Sequence, residues 1–238
     1  MKITVINATE VKGITFKAKE IFLEQFKDAE ITEFYLPKDC PAFCCGCKTC
    51  ILKGEDKCKD FEYIQKIDKS IKEADLLVFP SPAYVFHTTG AMKAMLDHFA
   101  YRWMPHRPSK EIFTKRAVVI TQCLGSGEKS AAKDIKDSLA WWGVSAVYST
   151  SFKLMSEINW SKIPQKKQQA ITNKITKLAI KVAKIDFSKP AKANLATKLK
   201  FYMVRMLQTS LGKKDPEYVD YNYWKEQGWL DKVRPWKD

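Results

Sequence analysis

The sequence predicts an α/β fold: a doubly wound parallel sheet of five strands followed by a basic helical extension. Short apolar runs alternate with longer segments of helical period through residue 152, the pattern of βαβ units. After residue 152 that alternation stops, and only helical patterns follow. The composition, 45% hydrophobic and 29% charged, supplies a core without any apolar run long enough to span a membrane.

KITVIN (2–7) reads as the first strand. A helix from Thr15 to about Lys27 offers Phe16, Ala18, Ile21, Phe22 and Phe26 to the core. ITEFYL (31–36) reads as the second strand, followed by a cysteine-rich loop and a helix from about Phe61 to Lys72. ADLLVFP (74–80) is a buried third strand ended by Ser81-Pro82. Met92, Met95, Leu96 and Phe99 then recur at helical spacing. RAVVITQ (116–122) and VSAVYSTSF (144–152) complete the sheet around a helix ending near Trp142 and Gly143. Five strands so connected match the flavodoxin-like order 2-1-3-4-5. The expected division is a nucleotide-binding domain over 1–152 and a helical extension over 153–238.

Within that extension, residues 161–186 predict one long basic helix. Leu195, Leu199, Tyr202, Met203, Met206 and Leu211 mark the apolar stripe of another, expected to dock on the core or on a sister subunit rather than on a membrane. Residues 1–150 carry 22 Lys/Arg against 19 Asp/Glu, whereas 151–238 carry 19 against 8, so the extension holds most of the net charge of +14. Such a segment can attract nucleic acid, anionic lipid or an acidic partner, although most basic segments are simply solvated faces. No nucleic-acid partner is expected. The N-terminus lacks the apolar core and cleavage site of a signal peptide, which predicts a cytoplasmic protein.

Open parallel sheets bind ligands beyond the carboxyl ends of their strands where the strand order reverses, here between strands one and three. The loop after strand one, NATEVKGIT (7–15), leads into a helix N-terminus suited to a phosphate, with hydroxyls at Thr9 and Thr15 and a cation at Lys12. Ser or Thr before a helix is more often only a cap. Six of the seven cysteines fall between residues 40 and 58. Clustered thiols in a reducing compartment point to a metal, a cluster or redox chemistry. Cys44, Cys47, Cys50 and Cys58 are spaced C-x2-C-x2-C-x7-C, which suits a cubane; zinc and unligated thiols remain open, and Cys40 and Cys45 fall outside the scheme.

The loop after strand three, SPAYVFHTTGAMKAMLDH (81–98), carries SP-x-Y followed by TG-x-MK-x-x-LD. With these motifs residues 1–150 resemble the NADPH-dependent FMN reductase and flavodoxin-like group, which includes the iron-sulfur flavoproteins. The resemblance implies FMN as cofactor and NAD(P)H as electron donor. It assigns the isoalloxazine edge to the backbone of Pro82, Ala83, Tyr84, Val85 and Phe86, and the third flavin loop to QCLGSGEKS, with Gly125, Ser126 and Gly127 allowing close backbone approach. It also likens the cysteine motif to that of the iron-sulfur flavoproteins, hence a 4Fe-4S cluster and ferredoxin as a redox partner, and implies a homodimer or homotetramer. The chain departs from the group at its first loop, where Ala8, Thr9, Glu10 and Val11 replace the common GSPR; Lys12 is the candidate replacement cation.

Flavin chemistry belongs to the cofactor, so a binding surface is expected in place of a catalytic triad. His87, His98 and His106, with Tyr101, Arg102, Trp103 and Arg107, could serve a substrate or nicotinamide phosphate; covering the edge of the third helix or forming a dimer contact is the plainer role. The expected activity is a flavin- or quinone-type reductase. A flavodoxin-like electron carrier is the main alternative, against which the length and basic charge speak, and a flavin-free binding protein is the third.

Overall fold

The structure, a computed structural model, describes residues 1–155 and 157–237. Strands β1 (Lys2–Asn7), β2 (Glu30–Tyr35), β3 (Leu76–Pro82), β4 (Arg116–Leu124) and β5 (Ala146–Leu154) form one parallel sheet in the order β2-β1-β3-β4-β5. Helices α1 (Ile14–Leu23), α2 (Thr49–Leu52), α3 (Phe61–Glu73), α4 (Gly90–His98) and α5 (Glu128–Trp142) lie in the connections. Helices α6 (Gln165–Ala183), α7 (Leu195–Lys214) and α8 (Val219–Glu226) follow β5.

Alternate strand residues point to opposite faces, so the inner strands β1, β3 and β4 each feed two cores. On one face Ile6, Leu77, Phe79, Ala117 and Val119 meet Ile64, Ile67 and Ile71 of α3, Met92 and Met95 of α4, and Ile135 and Leu139 of α5. On the other, Ile3, Val5, Leu76, Val78, Val118 and Ile120 meet Ala18, Ile21 and Phe22 of α1 and Ile171, Ile175, Ala179 and Val182 of α6. Helix α6 therefore completes the layer that α1 begins. Strands β3 and β5 start two residues after their apolar runs do. Ala74 closes α3 as its C-cap, and the left-handed Gly143 lets the Val144 amide return to the Leu139 carbonyl at the end of α5.

The end of the chain builds a third, aromatic core. Phe201 and Val204 of α7 pack with Met104, Phe113, Trp224 and Trp229. Of the two places expected for the Leu195 stripe, the core or a sister subunit, the core is not the one it takes: Leu195, Leu199, Tyr202, Met203 and Met206 face outward, and Leu211 is half-buried. A helix apolar on two sides chooses the side that meets aromatic volume, and that side carries Phe201.

Lys19 of α1 is fully buried, and its ammonium lies 2.8 Å from Glu33 on β2 and 2.7 Å from Glu20. Burial alone would raise the Glu33 carboxyl. Hydrogen bonds from Lys19, Asn7 and Tyr35 outweigh it and hold the group below the ordinary carboxylate range. A depressed folded-state pKa stabilises above the unfolded value and is lost as pH falls through the folded one. Thermal stability should therefore fall as the pH drops below about 4.5, and less steeply in Glu33→Gln. Melting curves at matched pH values would check this; identical slopes would contradict it.

Candidate functional site

Three loops meet at the carboxyl edge of β1, β3 and β4. Residues Thr9, Val11, Gly13, Ile14, Thr15, Pro82, Ala83, Tyr84, Gln122 and Leu124, with Glu157 and Ile158 from beyond β5, line an open cleft of about 260 Å³. Its position is the reversal of strand order between β1 and β3.

The floor is the start of α1. Gly13 precedes the helix without any side-chain cap, and the first turn carries no acid, so the first amides retain their dipole for an anion. Thr9 Oγ1 accepts from the Val11 amide, which shapes the loop. Thr15 is buried at the cleft, whereas Lys12 is exposed outside it, its ammonium 5.5 Å from the Phe16 ring.

The threonine-glycine pair of the second motif has a structural explanation. Thr89 caps α4 by accepting from the Met92 amide at 3.0 Å, and its hydroxyl donates to the Ala8 carbonyl at 2.7 Å. The first and second loops are thereby locked together.

Residues 84–87 form a tight hairpin turn, with Tyr84 and His87 exchanging amide-carbonyl bonds of 2.9 and 3.1 Å. Both central residues are left-handed, Val85 at φ 49° and Phe86 at φ 69°, the backbone of a type I′ turn. Such conformations cost about 1–3 kcal/mol each without glycine. The surroundings impose them: Asp134 of α5 accepts from the Thr88 amide at 3.0 Å and lies 3.1 Å from His87 Nδ1, and Ser81 and Thr88 share a 2.9 Å hydroxyl contact. Pro82 has no N–H, and the Ala83 and Tyr84 amides are occupied by Gln122 and His87. Among the described residues, the Val85 and Phe86 amides at the tip have no partner.

In the third loop the Gly125 and Ser126 amides bond the Leu154 and Leu124 carbonyls. Gly127, at φ 110°, abuts the hairpin: a Cβ there would lie 2.7 Å from Phe86 Cα. The structure thus gathers Thr9, Thr15, Pro82, Ala83 and Tyr84 around the cleft. Val85 and Phe86 stand at the tip of the turn, and Lys12, Gly125, Ser126 and Gly127 do not line the cavity.

Gln122 enters the sequence pattern only as the end of strand four and the first residue of the third flavin loop, with no role of its own. Its side-chain oxygen is buried, has no partner among the described residues and belongs to a residue lining the cleft. A polar residue near the end of an apolar strand, at the ligand-binding edge, was the available signal. A larger cavity of about 450 Å³ lies beside α4 and α5, but Asp97, Asp134 and Asp137 against Lys93 give it the wrong charge for a phosphate.

The cysteine loop follows β2. Cys40 is buried, its thiol pushed up to about 11, chiefly by burial. Cys44 and Cys47 are exposed, Cys50 and Cys58 half-buried. Burial and then the neighbouring Cys58, Cys44 and Cys47 raise the Cys50 thiol, while hydrogen bonding at Thr49 lowers that of Cys47. Among the described residues no three His, Cys, Asp or Glu side chains converge on a single metal ion. Arg107 donates to the Cys50 and Ile51 carbonyls and to the buried carboxylate of Asp220 on α8.

A family model described as NADPH-dependent FMN reductase matches residues 1–157. An iron-sulfur flavoprotein of Archaeoglobus fulgidus is 26% identical over 194 residues, covering 79% of this chain and 80% of its own. A second iron-sulfur flavoprotein of the same organism is 31% identical over 134 residues, covering 53% of this chain and 62% of its own. Among solved structures, an azoreductase from Bacillus anthracis superposes with a TM-score of 0.56 at 16% identity, covering 77% of this chain and 98% of that one. An NAD(P)H:quinone oxidoreductase from Methanothermobacter marburgensis gives 0.56 at 14% identity, covering 76% and 98%. At these identities the structural matches show the shared fold.

Proposed function

The chain belongs to the NADPH-dependent FMN reductase family and is an NAD(P)H-dependent FMN oxidoreductase; on that premise we propose that it holds FMN in the cleft between α1 and the 84–87 turn and reduces a quinone-type acceptor. The observation that carries the placement is the joining of an uncapped helix N-terminus with the orphaned Gln122 oxygen in one cleft.

FMN, when bound, supplies the hydride and electron chemistry. The first-turn amides of α1 and the Thr9 and Thr15 hydroxyls hold the phosphate, with Lys12 supplying charge from outside. Gln122 Oε1 accepts a hydrogen bond from the cofactor, and the free Val85 and Phe86 amides donate to its ring. Tyr84, Leu124 and Ile158 supply apolar cover that limits water. The rigidity of the turn sets the orientation of the ring. Steady-state oxidation of NADPH or NADH by a quinone, dependent on added FMN, tests the activity; no turnover with either nucleotide contradicts it.

The chain also holds a 4Fe-4S cluster on Cys44, Cys47, Cys50 and Cys58 in this reading, with ferredoxin as a one-electron partner. Two iron-sulfur flavoproteins among its relatives, and the C-x2-C-x2-C-x7-C spacing, support this. Thiolates are the ligating form, so Cys47→Ser should remove most of the iron of anaerobically purified protein while sparing FMN. Iron content unchanged in that variant would contradict the assignment.

A further inference from the structure

Helix α7 keeps a second apolar face after its first is buried. Leu195, Leu199, Tyr202, Met203, Met206 and Leu207 are between 43 and 71% exposed. Their spacing of three and four residues joins most of them into one row along the outer side of a 20-residue helix. Isolated exposed apolar residues are ordinary, but a contiguous row marks a contact surface.

The charge carried on this helix has one sign. Residues 187–214 contain seven Lys/Arg and no Asp or Glu. Lys198, Lys213 and Lys214 lie on α7 itself, and Arg234 reaches it from the chain end, its Nε 3.3 Å from the Tyr202 hydroxyl. A second copy packed on this face about a twofold axis would set Lys198 of one helix near Lys213 of the other, bringing like charges together as it buried the row. A nucleic acid would satisfy the cations but leave the leucines and methionines in water. An anionic bilayer surface satisfies both groups: the row enters the boundary between headgroups and acyl chains, while the lysine stems extend along it to the lipid phosphates.

We propose that α7 is a peripheral membrane-binding helix that lies along an anionic lipid surface and seats the enzyme there. No helix among the described residues is long and apolar enough to cross a membrane, so the attachment is superficial. The basic excess of the extension thereby acquires a partner.

Sedimentation of the full chain with vesicles of equal parts phosphatidylglycerol and phosphatidylcholine, and with phosphatidylcholine alone, tests this. The protein should pellet with the first and remain in solution with the second. Met203→Glu with Met206→Glu should abolish pelleting. Lys198→Glu with Lys213→Glu should weaken it at least about tenfold, given the contribution of each cation near an anionic surface. None of the four residues is buried, and unchanged melting curves would verify that the variants fold. Wild-type protein that stays in solution with the anionic vesicles at low salt overturns the proposal, as does undiminished pelleting of the methionine variant. Wild-type dimers that the methionine variant converts to monomers, without vesicle binding, would assign the face to a second copy and equally overturn it.

Discussion

Replacing Gly127 by alanine should remove most of the affinity for FMN while leaving the fold intact. The new methyl would lie 2.7 Å from Phe86 Cα and 3.2 Å from its carbonyl carbon and oxygen, all backbone atoms that cannot swing aside. The residue also sits at φ 110°, where alanine is strained in its own right. The start of α5 and the 84–87 turn must therefore separate, and the Val85 and Phe86 amides move with the turn. A penalty of about 1–3 kcal/mol corresponds to roughly a tenfold to hundredfold loss of affinity. Flavin fluorescence titration would measure it, with circular dichroism melting as the control. An unchanged dissociation constant would show that the flavin does not depend on this turn.

The largest effect on stability should come from Arg107→Met. Asp220 is fully buried, and besides Arg107 it is held by the Tyr218 hydroxyl at 2.9 Å and by His106 Nδ1 at 2.7 Å. Removing the guanidinium leaves a buried carboxylate without its strongest partner, a loss of about 3–5 kcal/mol. It also strips the Cys50 and Ile51 carbonyls of their donor, which unfastens the cysteine loop from α8. For a chain of this size the melting temperature should fall by roughly 10 °C. Arg107→Met combined with Asp220→Leu should recover part of that loss, because the uncompensated charge is gone. A double variant as unstable as the single one would mean that the carbonyl contacts carry the energy.

The sheet was legible because its five strands are apolar runs set between helical patterns, and topology rules leave few ways to connect them. The cleft was legible in its outline, through NATEVKGIT and SPAYVF, since loops at one sheet edge must lie together. Finer assignments were not. Nothing in SPAYVF reveals that the Ala83 and Tyr84 amides are already bonded, because that depends on a turn with two left-handed residues that are not glycine. Gln122 was hidden for a related reason: an unpartnered oxygen is a property of the packed surroundings. Helix α7 shows the limit of periodicity, which identified an apolar face but could not say which of two faces the aromatic core would take.

An FMN held in this cleft should be reduced directly by a nicotinamide nucleotide. FMN-loaded protein should be mixed anaerobically with NADPH, and separately with NADH, while the visible flavin absorption is followed by stopped flow. The absorption should bleach with at least one nucleotide and return when a quinone is added. Flavin that stays fully oxidised with both nucleotides would contradict it.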